Sequence, residues 1–83
     1  MHEIRWERNA VGMLMEVGER NRARIVQQVA HLRRFPRLGT ALIGPLAGLR
    51  RLVVGPYSVV YGLDDEKGVV SIVALVPGGW VAR

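Results

Sequence analysis

Leu49-Arg50-Arg51-Leu52-Val53-Val54-Gly55-Pro56-Tyr57-Ser58-Val59-Val60-Tyr61-Gly62-Leu63-Asp64-Asp65-Glu66 reads as strand, tight turn, strand and acidic loop. Two β-rich runs, Leu49 to Val54 and Tyr57 to Leu63, flank Gly55-Pro56. Gly tolerates the positive φ that a tight reversal needs, and Pro arrives with φ already set. Asp64-Asp65-Glu66-Lys67-Gly68 closes the second run, and Val69 to Val76 supplies a third. Three consecutive strands joined by short loops predict an antiparallel meander. The residues upstream predict a layer covering one face of it.

Working outward, His2 to Trp6 alternates, with His2, Ile4 and Trp6 on one face, and predicts a short half-buried strand that joins the sheet as a fourth member. Trp6 reads as core. A first helix is expected from an Asn9 N-cap to a Gly18 C-cap, with Ala10, Met13, Leu14 and Val17 on its inward face. Val11 and Met15 widen the apolar side, either as filler or as a surface for a partner peptide. A second helix is expected from Glu19 or Asn21 to Arg34. Its inward stripe is Ile25, Val26, Val29 and Leu32, and Arg20, Arg24, Gln27, His31 and Arg34 form the opposite stripe. Such a basic face suits a phosphate backbone or an acidic partner, or is simply solvated. Phe35-Pro36 ends the helix. Residues 40 to 48 read as a loop with none of the Gly-Lys-Ser/Thr chemistry of a phosphate-binding loop.

The 83 residues predict one domain, residues 1–83, of α+β class: a helical hairpin on a four-stranded, mostly antiparallel sheet. So short a chain buries a modest share of its surface, and 49% of its residues are hydrophobic, which predicts a partner that adds burial. There is no cysteine, so disulfides and thiol chemistry are excluded. The charged N-terminus and the lack of a long apolar run predict a cytoplasmic protein without a membrane anchor. The net charge is +5, and eleven of the twelve basic residues are arginine. Eight of them fall in residues 1–37 against four Glu, so the excess lies on the helical half. That balance favours nucleic acid or an acidic partner.

Conventional catalytic sets are missing. The only serines, Ser58 and Ser71, and the only histidines, His2 and His31, lack a nucleophile-elbow context. Two histidines make no metal cluster, Asp64-Asp65-Glu66 reads as solvated, and no cofactor is expected. What remains is charge-based chemistry on RNA, in which arginines stabilise a developing phosphorane.

The order Leu49-Arg50-Arg51-Leu52-x-Val54-Gly55-x-Tyr57-x-Val59-x-Tyr61, an Asp-Asp-Glu loop and a valine-rich last strand resembles the RelE/ParE superfamily of bacterial toxins. The resemblance runs from the strand ending in Trp6 through the helical hairpin and the Phe35-Pro36 break. It implies a growth-inhibiting toxin of a type II toxin–antitoxin system, of the kind that stabilises plasmids, held by a cognate antitoxin in a hetero-oligomer or existing as a homodimer. RelE-like members are ribosome-dependent mRNA endoribonucleases, and there Arg50 and Arg51 take the catalytic basic positions. The arginine that usually follows the strand-opening tyrosine, here Tyr57, is Ser58. Pro77-Gly78-Gly79 replaces the basic segment after the last strand, and Trp80 is the sole candidate for the terminal aromatic. Those departures suit the ParE-like branch, which inhibits DNA gyrase, or a toxin without catalysis. Arg20, Arg24, His31, Arg34, Tyr57 and Trp80 are the candidate contacts to RNA or a partner protein; Trp80 either folds back or stays exposed. A small basic binding module without toxicity is the reading from a different class.

Overall fold

The computed structural model describes residues 1–78. The elements are β1 (Glu3–Trp6), α1 (Arg8–Met15), α2 (Glu19–Ala30), β2 (Thr40–Ala41), β3 (Leu49–Val54), β4 (Tyr57–Asp64) and β5 (Val69–Pro77). The sheet runs β1-β5-β4-β3-β2. The meander is antiparallel as expected, while β1 joins β5 in parallel, Ile4 opposite Val70 and Trp6 opposite Ile72. Gly55 takes φ +54° in the two-residue turn between the paired Val54 and Tyr57.

The class is the expected α+β, with one strand more than the four foreseen. Within the segment read as a loop, Thr40 pairs with Arg51 and Ala41 with Arg50. Two residues carry no alternation to read; the free edge of β3 alone makes them a strand.

Alternation sorts the sheet into two faces. Leu52 and Val54 of β3, Val59 and Tyr61 of β4, and Val70, Ile72 and Leu75 of β5 point to the helices and join Ala10, Leu14, Val17, Ile25, Val29 and Leu32 in the core. Fully burying a side chain such as Ile25, Leu32 or Ile72 contributes about 1.5–3 kcal/mol. Ile4 and Trp6 pack at its border, so Trp6 is core-associated as read.

The helix limits differ in instructive ways. Glu7, not Asn9, occupies the α1 N-cap, and it makes no side-chain cap bond. Asn9 is drawn instead to β5, where its Nδ2 donates to the Val73 carbonyl at 3.4 Å. A bulge there skips Val73, since Val60 pairs with Ala74 and Tyr61 with Ile72. The Leu75 N–H beyond it donates to Met13 Sδ at 3.4 Å, so α1 side chains answer polar groups of β5 past Ile72, where its pairing with β1 ends. Helix α1 ends at Met15 with Glu16 as its C-cap, and Gly18, expected to close α1, is the N-cap of α2. Helix α2 stops at Ala30, earlier than read, and continues as a 3-10 turn over His31–Arg33. The tightening precedes Phe35-Pro36, which no helix can cross. Val26, assigned inward, is exposed. Ile25, Val29 and Leu32 share one line on the helix, and Val26 sits about 100° away from it.

Candidate functional site

The Arg50–Arg51 pair does not act from one surface. Neighbours on a strand point to opposite faces, so Arg50 shares the helix side with Tyr61, its register partner, while Arg51 shares the other face with Val60. The Arg50 Nε donates to the Gly39 carbonyl at 3.0 Å, and a guanidinium N–H reaches the Arg37 carbonyl at 3.3 Å. Tyr61, fully buried, donates its hydroxyl to the Pro36 carbonyl at 2.7 Å and accepts the Gly39 N–H at 2.9 Å. Arg50 and Tyr61 therefore grip the 36–39 segment, which carries the chain from the helices to the sheet. Gly39 is needed there: a Cβ would lie 2.7 Å from the Arg51 carbonyl oxygen and 2.8 Å from the Tyr61 ring.

Beside that grip, Arg37, Ala41, Gly48, Leu49, Arg50, Leu63 and Asp65 line a cleft of about 220 Å³. Arg37 pairs with Asp65, whose other oxygen lies 3.3 Å from His2 Nε2. The hydrogen bond from Arg37 holds the Asp65 carboxyl below the usual range, with a smaller contribution from His2. The loop carboxylates are thus partly engaged, since Asp64 also accepts the Lys67 N–H at 3.0 Å. Among the described residues no His, Cys, Asp and Glu cluster is suited to a metal ion.

The face away from the helices carries Arg51 and Val53 of β3, Ser58, Val60 and Gly62 of β4, and Ser71, Ala74 and Val76 of β5. Arg51 is the one cation that these three strands place on that face among the described residues. Ser58, where the resemblance leads one to expect arginine, is only 2% exposed.

The remaining candidates lie elsewhere. Arg20, Arg24, Gln27, His31 and Arg34 are all exposed, so the basic stripe on α2 exists as read. Arg24 reaches over the β3–β4 turn, where a Cβ on Gly55 would come within 3.1 Å of its guanidinium. Tyr57 is half-buried in a mainly apolar groove of about 350 Å³ with Met13, Val17, Leu75 and Pro77, edged by Glu16. Trp80 lies outside the described residues. Sequence reasoning missed Tyr61, Gly39 and Arg37. Tyr61 closes the motif that begins at Leu49, but it sits in a Val-Val-Tyr run that looks like ordinary strand, and only the structure shows the loop it supports.

Comparison with known proteins places this arrangement. The chain is similar to a protein in the toxin–antitoxin complex RelBE2 from Mycobacterium tuberculosis, with TM-score 0.86 and 29% identity over 92% of this chain and 96% of that one. It shares its fold with a chain of the intact E. coli RelBE toxin–antitoxin complex, with TM-score 0.80 and 16% identity over 96% of this chain and 100% of that one. A chain of the chromosomal ParDE system of P. aeruginosa matches with TM-score 0.72 and 19% identity, over 95% of this chain and 98% of that one. No curated protein sequence matches. The model of the ParE toxin of type II toxin–antitoxin systems matches residues 4–79, and with the meander, the helical hairpin and the bulged last strand in place, the chain belongs to this toxin family within the RelE/ParE superfamily.

Proposed function

We propose that the protein is a growth inhibitor of the gyrase-directed kind, neutralised in the cytoplasm by a cognate antitoxin. One observation carries the choice of target. A ribonuclease of the RelE pattern gathers several basic groups and an acid or base on one surface, because positioning, proton transfer and charge stabilisation must coincide at one phosphate. Here Arg50 is turned to the 36–39 segment, Ser58 is buried, and Arg51 is left as the lone cation of the helix-free face on β3 to β5 among the described residues.

An antitoxin partner is supported by the relatives solved as toxin–antitoxin complexes. It is also supported by exposed apolar surface that a bound peptide would remove from water: Val11 and Met15 on one side of α1, and the groove at Tyr57 on the other.

A cell-free translation reaction with mapped transcript ends, run beside a supercoiling reaction with purified gyrase, tests the reading. Intact transcripts with inhibited supercoiling are expected. New ends at ribosomal A-site codons, abolished by Arg51→Ala, would replace it with mRNA cleavage. Inactivity in both assays would leave a catalytically degenerate toxin or a basic binding module.

A further inference from the structure

The far end of α2 carries side chains that neither the core nor the sheet uses. Met1, Ala30, His31, Arg33, Arg34 and Phe35 line a shallow cavity of about 450 Å³. Its backbone is tied on each side. The Arg34 and Phe35 N–H groups both donate to the His31 carbonyl, at 3.2 and 2.9 Å, and the Leu38 N–H donates to the Phe35 carbonyl at 3.0 Å. The His2 N–H donates to the Arg33 carbonyl at 2.9 Å, which lays the N-terminus along the cavity.

Within this frame Phe35 is 60% exposed, although Leu32, one turn earlier, is fully buried. Pro36 bars Phe35 from continuing the helix, so the ring is presented on a restrained backbone. Arg33 and Arg34 form no ion pair with a described carboxylate; the ion pairs found involve His2, Arg5 and Arg37. Behind the cavity the stripe continues through Arg24 to Arg20, a positive track of roughly 20 Å at helical rise.

We propose that this end of α2 binds single-stranded nucleic acid, with a base stacked on Phe35 and the following phosphates held by Arg33, Arg34 and the stripe beyond. The combination selects the ligand. A purely acidic peptide such as polyglutamate would use the arginines and leave the ring in water. A duplex keeps its bases stacked on one another and cannot offer one to Phe35. A single strand uses both the cations and the ring. The site is separate from the helix-free sheet face and does not rest on the choice between gyrase and ribosome.

The test is fluorescence anisotropy of a labelled short oligouridylate against the purified chain across a salt titration. Binding is expected to weaken with salt at roughly −0.7 in log–log slope per phosphate held. Phe35→Ala should weaken binding about tenfold while Phe35→Trp retains it, the expected behaviour of a stacking platform. Arg33→Ala with Arg34→Ala should flatten the slope by roughly 1.4. Phe35 is exposed, so an unchanged melting temperature for Phe35→Ala separates lost stacking from misfolding. Absent binding, indifference to Phe35→Ala, or equally effective competition by duplex or polyglutamate would overturn the proposal.

Discussion

Replacing Tyr61 with Phe removes one oxygen and keeps the ring in the core. The hydroxyl has two partners, the Gly39 N–H at 2.9 Å and the Pro36 carbonyl at 2.7 Å. Gly39 is buried, so its donor would lose its acceptor without gaining water, at about 1–3 kcal/mol. Pro36 is half-exposed, and its carbonyl can turn to solvent at little cost. A net loss of about 2 kcal/mol follows, which for a domain of this size lowers the melting temperature by roughly 8–16 °C. Thermal unfolding followed by circular dichroism measures it. A second arm tests the shared grip. Arg50→Met removes the bond to the Gly39 carbonyl, and two residues holding one segment should be coupled by about 0.5 kcal/mol or more in a double-mutant cycle. A Tyr61→Phe shift below about 4 °C, or strictly additive losses, would refute the argument that these side chains jointly anchor the crossing from helices to sheet.

Gly39→Ala should cost at least as much as the Tyr61 change, about 2–3 kcal/mol, because its Cβ meets the backbone oxygen of Arg51, which cannot move aside cheaply; a chemical denaturation midpoint checks this. Gly55→Ala puts a side chain at φ +54° in the β3–β4 turn and should lower stability by about 1 kcal/mol, read from the same denaturation curve. Asp65 titrates below its ordinary range in the folded protein because Arg37 donates to it. Its small contribution is therefore fully present above the usual carboxylate range and lost as pH falls through the depressed value. Asp65→Asn should flatten the acid limb of the stability–pH profile while barely changing stability in high salt, where the exposed pair is screened. Addition of the antitoxin should raise the melting temperature in proportion to the logarithm of its free concentration, measured by scanning fluorimetry.

The strands of the meander and the Gly55-Pro56 turn could be read directly, because alternation and turn chemistry are properties of a few adjacent residues. The inward lines of α1 and α2 (apart from the exposed Val26), the basic stripe and the break at Phe35-Pro36 were legible for the same reason. The α2 stripe needed only helical spacing, and its exposure follows from the burial of Ile25, Val29 and Leu32 on the opposite side. Where a neighbour set the outcome, local reading failed. Asn9 has the chemistry of an N-cap, yet a carbonyl in β5, 64 residues away, competes for its amide. Thr40-Ala41 is a strand only because β3 offers an edge. The candidate site shows the same division. That Arg50 and Arg51 occupy a strand is written in the chain, and so in principle is their divergence to opposite faces. That one of them grips the Gly39 carbonyl beside the buried Tyr61 hydroxyl depends on where the 36–39 segment crosses the sheet. Short-range pattern is enforced by φ/ψ sterics and side-chain period, which each residue carries with it. Partner choice between distant polar groups depends on which of them the tertiary structure brings together, and that is settled only once the helices have closed over the sheet.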